Sequence, residues 1–208
     1  MAPRPVSPEL LPDLLADTIV AGASGRPVRV AIDGAPCTGP GDLADAVAEL
    51  LRVHGRPPTR IDTAFFLRPA SLRLERGRTD PDAYYDDWLD VEGLRREVLD
   101  PTGPDGSNQI VPSLRDAETD RATRAPYVEV PANAVVLIAG EFLLGRGLPF
   151  DLTVHLRQSA AALARRTAPE LEWRLPAFAR YDSEVAPATR ADLVILVDDP
   201  RHPAVLSR

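Results

Sequence analysis

The sequence predicts an α/β fold in which a mainly parallel β-sheet is flanked by helices. Runs of aliphatic residues alternate along the chain with segments of helical periodicity, and parallel strands need crossover helices of this kind. The run VRVAIDGAPCTGPGDLADAVAELLRV, which begins at Val28, has the outline of a strand, a glycine-containing loop and a helix. Such units connect through right-handed crossovers and leave the sheet covered on both faces.

The first third of the chain supplies the elements of that unit. Leucine and isoleucine at helical spacing predict a short amphipathic helix over residues 8–21. Alternating apolar residues predict a strand from Val28 into the loop at Gly34. We expect Asp42 to cap the next helix, because it directly precedes the apolar face of that helix. A second strand is predicted over residues 61–66.

The rest of the chain is predicted to continue this alternation within one domain over residues 1–208, with an N-terminal helix and linker over 1–26. After the irregular, arginine-rich residues 67–82, helical periodicity continues over 84–99. Glycine, proline and aspartate then predict a long loop with a small hairpin over 100–125. The remaining predicted elements are strands at 134–139, 152–156 and 193–197 and helices at 159–166 and 169–185.

The composition is that of a globular protein. Hydrophobic residues make up 44% of the chain and charged residues 26%, as is usual for such proteins. The net charge of −7 argues against a nucleic-acid partner. We expect no membrane span, because no apolar run approaches about 18 residues, and we expect the cytoplasm because the charged, proline-containing start does not resemble a signal peptide. One cysteine, Cys37, and three histidines predict neither a disulfide nor a metal site.

The loop after the first strand departs from the phosphate-binding pattern G-x-x-x-x-G-K-[ST], in which lysine contacts the phosphates and the hydroxyl binds Mg²⁺. Pro40 replaces the lysine and Gly41 the hydroxyl residue, and the chain contains no lysine at all. Asp42 follows, and at an effective dielectric of ~20 two unit charges ~5 Å apart repel by roughly 3 kcal/mol. We therefore expect this loop remnant to reject a triphosphate. Its residues are Gly34, Cys37, Thr38, Gly39, Pro40 and Gly41.

Four segments of the chain are similar to one family. They are IDGAPCTGPGDLA, LRPASLRLERGRTDPDAYYDDWLDVEGLRREVLDPTGPDG, VVLIAGEFLL and FARYDSEVAPATRADLVILVDDPRHP. Together they resemble the uridine kinase and phosphoribulokinase group of P-loop kinases, especially its actinobacterial uridine kinase-like members, over about residues 27–205. The resemblance implies a P-loop nucleoside-kinase-like three-layer fold, in a group whose members often form homo-oligomers.

The resemblance also places the family's catalytic carboxylates, and this chain differs at each of them. Where the family carries an aspartate pair after the second strand, the chain has apolar residues from Ala64 onward, with Asp62 two positions upstream as a displaced candidate. Ala139 stands where the family keeps a carboxylate, and Glu141, two positions on, projects to the same side of an extended segment. The alternative for Glu141 is a carboxylate that stabilises a helix N-terminus. The candidate acids or bases are Asp62, Glu141 and Asp42.

The substrate-side stretch is closer to the family pattern, which implies contacts to the sugar and base of a nucleoside. Thr79 departs from it, because the family's sugar-binding aspartate stands at that place. The candidates are Arg76, Arg78, Asp80, Tyr84, Tyr85 and Asp87. The alternative is a helix with a buried aromatic face and arginines at its rim.

The family's lid corresponds to residues 158–176, where arginines imply contacts to an anion. These lid arginines are Arg165, Arg166 and Arg174. The alternative is a solvated, charged helix face. Cys37 is a candidate nucleophile near a helix N-terminus or else a small loop residue.

Three functional hypotheses follow. The first is a uridine kinase-like protein deficient in phosphoryl transfer, with weak or absent ATP–Mg²⁺ binding and a pocket for a nucleoside-like or anionic small molecule. The second is an enzyme with different chemistry in the same cleft, for which a raised carboxylate pKa would be characteristic. The third is a nucleoside kinase that uses arginines in place of the lysine, and Mg²⁺-dependent ATP turnover would distinguish it.

Overall fold

The structure is a computed structural model that describes residues 3–22 and 25–207. The strands are β1 (Arg4–Pro5), β2 (Val28–Gly34), β3 (Pro58–Asp62), β4 (Gln109–Ile110), β5 (Arg115–Asp116), β6 (Arg121–Ala122), β7 (Val128–Glu129), β8 (Val135–Gly140), β9 (Leu152–Arg157), β10 (Leu193–Leu196) and β11 (Ala204–Ser207). The α-helices are α1 (Leu11–Ala21), α2 (Pro40–Val53), α3 (Ala70–Arg73), α4 (Pro81–Asp87), α5 (Val91–Leu94), α6 (Ala160–Arg166), α7 (Leu175–Glu184) and α8 (Pro187–Arg190). Short 3₁₀ turns lie at Pro8–Leu10, Pro36–Thr38, Thr63–Phe66 and Pro169–Arg174, and a π turn lies at Arg95–Leu99.

A seven-stranded sheet forms the centre of the fold, in the order β1-β11-β10-β9-β2-β8-β3. The strands from β10 to β3 in this order are parallel to one another. Strands β11 and β1 extend the sheet at one edge as antiparallel neighbours. The predicted α/β fold with a mainly parallel sheet is therefore confirmed.

Alternate residues of the central strands face two different helical layers. In β8, Val135 and Leu137 pack in the cluster that contains α1 and α2, whereas Val136 and Ile138 belong to the cluster with α4, α5 and α7. Because both faces are covered, the central strands are apolar almost throughout. The result is a three-layer arrangement. Within residues 3–22 and 25–207, no helix has the length and apolar character needed to cross a bilayer.

The start of α2 differs from the predicted cap at Asp42. Gly39 is the N-cap residue, with a left-handed φ of 74°, and no side chain caps this end of the helix. The helix begins at Pro40, because the fixed φ of proline suits the first helical position. Asp42 lies in the first turn, where its negative charge interacts favourably with the helix dipole.

Two other predicted elements end earlier than expected. Strand β3 ends at Asp62, whose carboxylate accepts the N–H of Ala64 at 2.8 Å and so starts a 3₁₀ turn. The helix predicted over 84–99 is divided, because Asp90 caps α5 by accepting the N–H of Gly93 at 2.8 Å. The hairpin predicted within 100–125 is confirmed as β5 and β6.

A buried ion pair joins the start of β2 to the segment before β9. Arg29 is 6% exposed, and its Nε and Nη2 donate to Asp151 at 2.9 Å each. Arg26, on the solvent side, donates to the same carboxylate. Although burial works to raise it, the pKa of Asp151 is held far below its usual range by hydrogen bonds from Arg29 and Arg26. The pair fixes one end of the central sheet.

We expect Asp151→Asn to lower the free energy of unfolding by about 2–4 kcal/mol, because it leaves the buried charge of Arg29 without its partner. For a chain of this size the melting temperature should fall by roughly 4–16 °C. Arg26→Ala is the matched control: Arg26 is the more exposed partner of Asp151, and Asp151 keeps its bonds to Arg29, so that the loss should cost about 1 kcal/mol. Equal losses in the two variants, measured by denaturant unfolding, would contradict this assignment.

Candidate functional site

The carboxyl ends of the parallel strands β2, β3 and β8 open into one cavity, which we call the main cavity. Its volume is about 410 Å³. The loop after β2, the start of α2, the turn after β3, helix α4 and the segment after β8 all contribute to its wall. Ligands of open α/β sheets bind at this edge. The charged lining residues are Asp42, Asp62, Glu141 and Arg174, and the aromatic ones include Tyr84 and Trp88.

Two backbone N–H groups of the loop after β2 donate hydrogen bonds to carbonyl groups of the same loop. The N–H of Thr38 donates to Ala35 O at 2.8 Å, and the N–H of Gly39 donates to Pro36 O at 3.1 Å. Pro40, the next residue, has no N–H to offer. Part of the backbone surface that would bind an anion at a helix N-terminus is therefore engaged internally or missing.

Two glycines of this loop have close neighbours. A Cβ on Gly34 would lie 2.6 Å from Thr38 Oγ1 and 2.9 Å from Leu156 Cβ, so that only glycine fits. A Cβ on Gly41 would lie 3.2 Å from Arg60 Nη2. Arg60 donates to Asp45 at 3.0 Å, and this guanidinium therefore stands beside the loop with its charge already paired.

Three buried polar atoms of residues that line the main cavity have no hydrogen-bond partner among the described residues. They are the hydroxyl of Tyr84, Oε2 of Glu141 and Nε of Arg174, although the Tyr84 hydroxyl and Arg174 lie close enough to Glu141 to oppose the rise in its pKa. Tyr84 is only 2% exposed, and the Arg174 guanidinium lies 4.8 Å from its ring centroid and 5.6 Å from that of Trp88. Buried polar groups are nearly always hydrogen-bonded in folded proteins. Such a group of unpartnered atoms is typical of a site that is completed by a ligand or water.

The environment of Glu141 shifts its proton equilibrium. Part of the residue reaches the surface, but Oε2 is buried. Burial raises the pKa of Glu141 to about 7, against the opposing effects of the Tyr84 hydroxyl and Arg174. Burial also raises the pKa of Tyr84, so that its hydroxyl stays neutral. The site therefore holds a carboxyl group that exchanges a proton near neutral pH, next to a neutral phenol.

The alternative interpretation of Glu141 as a helix N-terminal carboxylate is wrong. The chain after β8 forms bends and turns, not a helix, over residues 141–146, and Phe142 has a left-handed φ of 58°. Ala139 and Glu141 both line the main cavity, as expected from their spacing. A Cβ on the intervening Gly140 would lie 1.9 Å from Thr63 Oγ1, and this close approach fixes the direction in which Glu141 leaves the sheet.

A second buried network, which the sequence analysis did not identify, lies behind the loop. Asp33 is fully buried, and the parallel register places it beside His155, whose Nδ1 lies 2.7 Å from Asp33 Oδ2. The hydroxyl of Tyr181 donates to the same oxygen at 3.1 Å. The N–H of Leu143 donates to Oδ1 at 2.9 Å. This network ties β2, β9, α7 and the segment that carries Glu141 together.

The structure places one of the predicted substrate-side residues at the main cavity and the others elsewhere. Tyr84 lines the main cavity. Arg76 donates to Asp87 at 3.0 Å, and Asp80 caps α4 by accepting the N–H of Ala83. Tyr85 packs under the guanidinium groups of Arg146 and Arg180, and Arg78 is exposed. Of these candidates within the described chain, Tyr84 alone lines the main cavity. Tyr84 and Tyr85 are both buried on one face of α4, as in the alternative of an aromatic helix face.

The predicted lid arginines are likewise divided. Arg174 lines the main cavity, whereas Arg165 is exposed on α6 and Arg166 donates to Val197 O at 3.4 Å. Cys37 donates to Gln158 Oε1 at 3.4 Å. Burial raises the pKa of the Cys37 thiol, which disfavours the thiolate that a nucleophile needs. The geometry therefore favours Cys37 as a loop residue.

Solved structures share this fold. A possible uridine kinase from Bacillus stearothermophilus is 24% identical, with a TM-score of 0.72, over 88% of this chain and 96% of that chain. A "putative fructose transport system kinase" from Silicibacter sp. TM1040 is 20% identical, with a TM-score of 0.58, over 86% of this chain and 94% of that chain. Neither a protein-family model nor a curated protein sequence matches the chain. At these identities the likeness establishes a P-loop kinase-like α/β fold.

Proposed function

We propose that this protein binds a nucleoside-like small molecule in the main cavity and does not transfer phosphoryl groups from ATP–Mg²⁺. The observation that carries the proposal is the set of unpartnered polar atoms of Tyr84, Glu141 and Arg174 around the cavity. The kinase-like fold supports a small-molecule site at this edge of the sheet.

The chemistry of the cavity wall suits a planar polar ring. The hydroxyl of Tyr84 can donate and accept, Oε2 of Glu141 accepts when ionised, and Nε of Arg174 donates. Trp88 and Leu67 add apolar surface to the same wall. A ring with N–H and carbonyl groups at its edge, such as a nucleobase, can satisfy all three polar atoms while its faces contact apolar side chains.

ATP–Mg²⁺ does not fit the residues at the loop. Phosphate binding needs outward-facing N–H groups and positive charge, whereas Thr38 and Gly39 donate within the loop. Pro40 lacks an N–H, and Gly41 supplies no hydroxyl for a metal ion. Asp42, exposed in the first turn of α2, adds negative charge where the phosphates would lie.

Acid–base catalysis is a second candidate, and the environment of Glu141 favours it. A carboxyl group whose pKa is raised to about 7 can both give and take a proton at neutral pH. An enzyme of this kind would convert its ligand rather than only hold it. Chemical change in a ligand recovered after incubation with wild-type protein, and its loss in Glu141→Gln, would favour this candidate.

The binding proposal predicts that uridine raises the melting temperature of the protein and that ATP–Mg²⁺ does not. A ligand at 100 times its Kd contributes about 2.7 kcal/mol, or roughly 5–10 °C for a chain of this size. The panel contains uridine, uridine monophosphate, UTP, ATP–Mg²⁺ and inorganic phosphate. Stabilisation by ATP–Mg²⁺ would contradict the proposed loss of phosphoryl transfer.

Tyr84→Phe should separate ligand binding from folding. It removes a buried hydroxyl that has no partner among the described residues, and we therefore expect unchanged or slightly higher stability without ligand. Uridine should bind about tenfold more weakly, as expected for one lost hydrogen bond. Tyr85→Phe is the matched control on the same helix. Unchanged uridine affinity in Tyr84→Phe would remove Tyr84 from the site.

A further inference from the structure

We propose that the main cavity selects a ligand that carries a protonated amine next to a planar ring, and that it disfavours the phosphorylated form of such a ligand. This inference rests on one part of the proposed function, the presence of a small-molecule site in the main cavity, and it names the charge of the group that this site prefers. It assigns Asp62, Glu141 and Tyr84 as the acceptors of the ammonium group, with Asp42 adding negative charge to the same wall. The site would thus have a charge preference opposite to that of a phosphate-binding loop.

The charged residues that line the main cavity are mostly acidic. Its acidic lining residues are Asp42, Asp62 and Glu141, and its basic lining residue in the described chain is Arg174. Arg60 lies next to this wall; it donates to Asp45 outside the wall at 3.0 Å and forms a longer ion pair of 3.9 Å with Asp62, so that its one positive charge is shared between two acidic residues. A cavity with excess negative charge attracts cations and repels anions.

The carboxylate of Asp62 has free capacity to accept hydrogen bonds. Oδ1 accepts the N–H of Ala64 at 2.8 Å. Oδ2 lies 3.9 Å from Arg60 Nη2, which is too long for a hydrogen bond. The side chain is 48% exposed. Oδ2 is therefore accessible to a donor that enters the main cavity.

Tyr84, whose hydroxyl lies beside Glu141, also points to a ligand in the same place. It is 2% exposed, its hydroxyl is unpartnered within the described chain, and it lines the main cavity. An ammonium group has three donors and needs only acceptors. The hydroxyl oxygen of Tyr84, Oε2 of Glu141 and Oδ2 of Asp62 are acceptors on one cavity wall.

A phosphate group would instead need donors, and few are available. The Arg174 guanidinium is held over the rings of Tyr84, Trp88 and Trp173 at 4.8, 5.6 and 5.3 Å. The N–H groups of Thr38 and Gly39 are engaged within the loop. The aromatic rings that hold Arg174 also offer their faces to a cationic ligand.

Three matched fragments test this preference: benzylamine, benzyl alcohol and benzyl phosphate, which share a ring and differ in charge. Their Kd values for the full chain at pH 7 can be measured by ligand-observed NMR, with uridine titrated in parallel. We expect benzylamine to bind at least tenfold more tightly than benzyl alcohol, and benzyl phosphate to bind most weakly. In Asp42→Asn/Asp62→Asn the preference for the amine should fall to about twofold, whereas Glu49→Gln, on the outer part of α2, should leave it unchanged.

The outcomes separate this inference from the proposed function. Tight uridine binding with no preference for benzylamine over benzyl alcohol would overturn the amine inference and leave the nucleoside proposal intact. An Asp62-dependent preference for benzylamine without uridine binding would support the inference and overturn the nucleoside proposal. A preference for benzyl phosphate would overturn the inference outright, because tight binding of a phosphate group requires a positively charged cavity.

Discussion

In Glu141→Gln, the free energy of unfolding at pH 8 is expected to exceed that of the wild type by up to roughly 3 kcal/mol, with little difference near pH 4.5. The cause is burial, which raises the pKa of the folded-state carboxyl to about 7 from an ordinary value of 4.5. The folded protein therefore holds this proton more tightly than the unfolded chain. Its stabilising effect is complete below the unfolded-state pKa and is lost as the pH rises through 7. Glutamine stays neutral and avoids that loss.

Denaturant unfolding of both proteins at intervals from pH 4.5 to 8.5 measures this difference. Other carboxyl groups titrate in the same experiment, among them Asp151, whose pKa is lowered, and Asp182, whose pKa is raised chiefly by burial. They are common to both proteins and cancel in the comparison. Glu129→Gln, at an exposed position, is the matched control and should follow the wild type. If the free energies of unfolding of Glu141→Gln and the wild type change with pH in parallel, the pKa of Glu141 is not raised by folding.

The sequence predicted the elements whose residues alternate at a clear period. Strands β2, β8 and β9 and helix α2 each bury a regular apolar face, and their positions follow from local pattern alone. Strands β1 and β11 were missed, because a two-residue strand and a strand at the chain end gain their identity from pairing with each other. The helix expected over 84–99 was too long, since Asp90 interrupts an otherwise helical pattern.

Some residues of the candidate site could be identified from the sequence, whereas the contacts between them could not. Glu141 was identified because it lies two residues after a position that the family pattern marks, and this spacing decides which face of the strand it shares. Tyr84 and Arg174 were identified as candidates, but the contact between them joins segments far apart in sequence. The pairing of Asp33 with His155 spans 122 residues. The local indication was that β2 carries two charged residues, Arg29 and Asp33, among apolar ones, and a buried charge needs a partner.

The loop after β2 differs from a phosphate-binding loop in its hydrogen-bond donors and in its charge. In a phosphate-binding loop, backbone donors face outward and a lysine supplies charge. Here the N–H groups of Thr38 and Gly39 donate within the loop, and the acidic residues Asp42 and Asp62 stand at the cavity wall. Compared with a phosphate-binding loop, this loop has fewer free donors and a negative charge in place of a positive one. Restoring the loop residues should reverse both differences.

Replacing Pro40, Gly41 and Asp42 together by Lys, Ser and Thr is expected to give a protein that ATP–Mg²⁺ stabilises by about 2.7 kcal/mol at 100 times its Kd, or roughly 5–10 °C. The three changes supply the phosphate-binding ammonium, the metal-binding hydroxyl and an additional backbone N–H, and they remove the negative charge of Asp42. A Cβ at position 41 would lie 3.2 Å from Arg60 Nη2, so that serine fits once the end of this long side chain shifts by a few tenths of an ångström.

This variant should bind ATP–Mg²⁺ without transferring its phosphate to uridine. Phosphoryl transfer also needs a base that orients the substrate hydroxyl, and Ala64 and Ala139 stand where the sequence resemblance to uridine kinases would place carboxylates. Asp42→Asn is the matched control: it removes the charge but adds neither lysine nor hydroxyl, and it should gain little ATP affinity. Thermal shift and a coupled ADP-release assay measure the two properties separately. Turnover in the triple variant would mean that Asp62 or Glu141 can act as the base, and the proposed loss of activity would then rest on the loop alone.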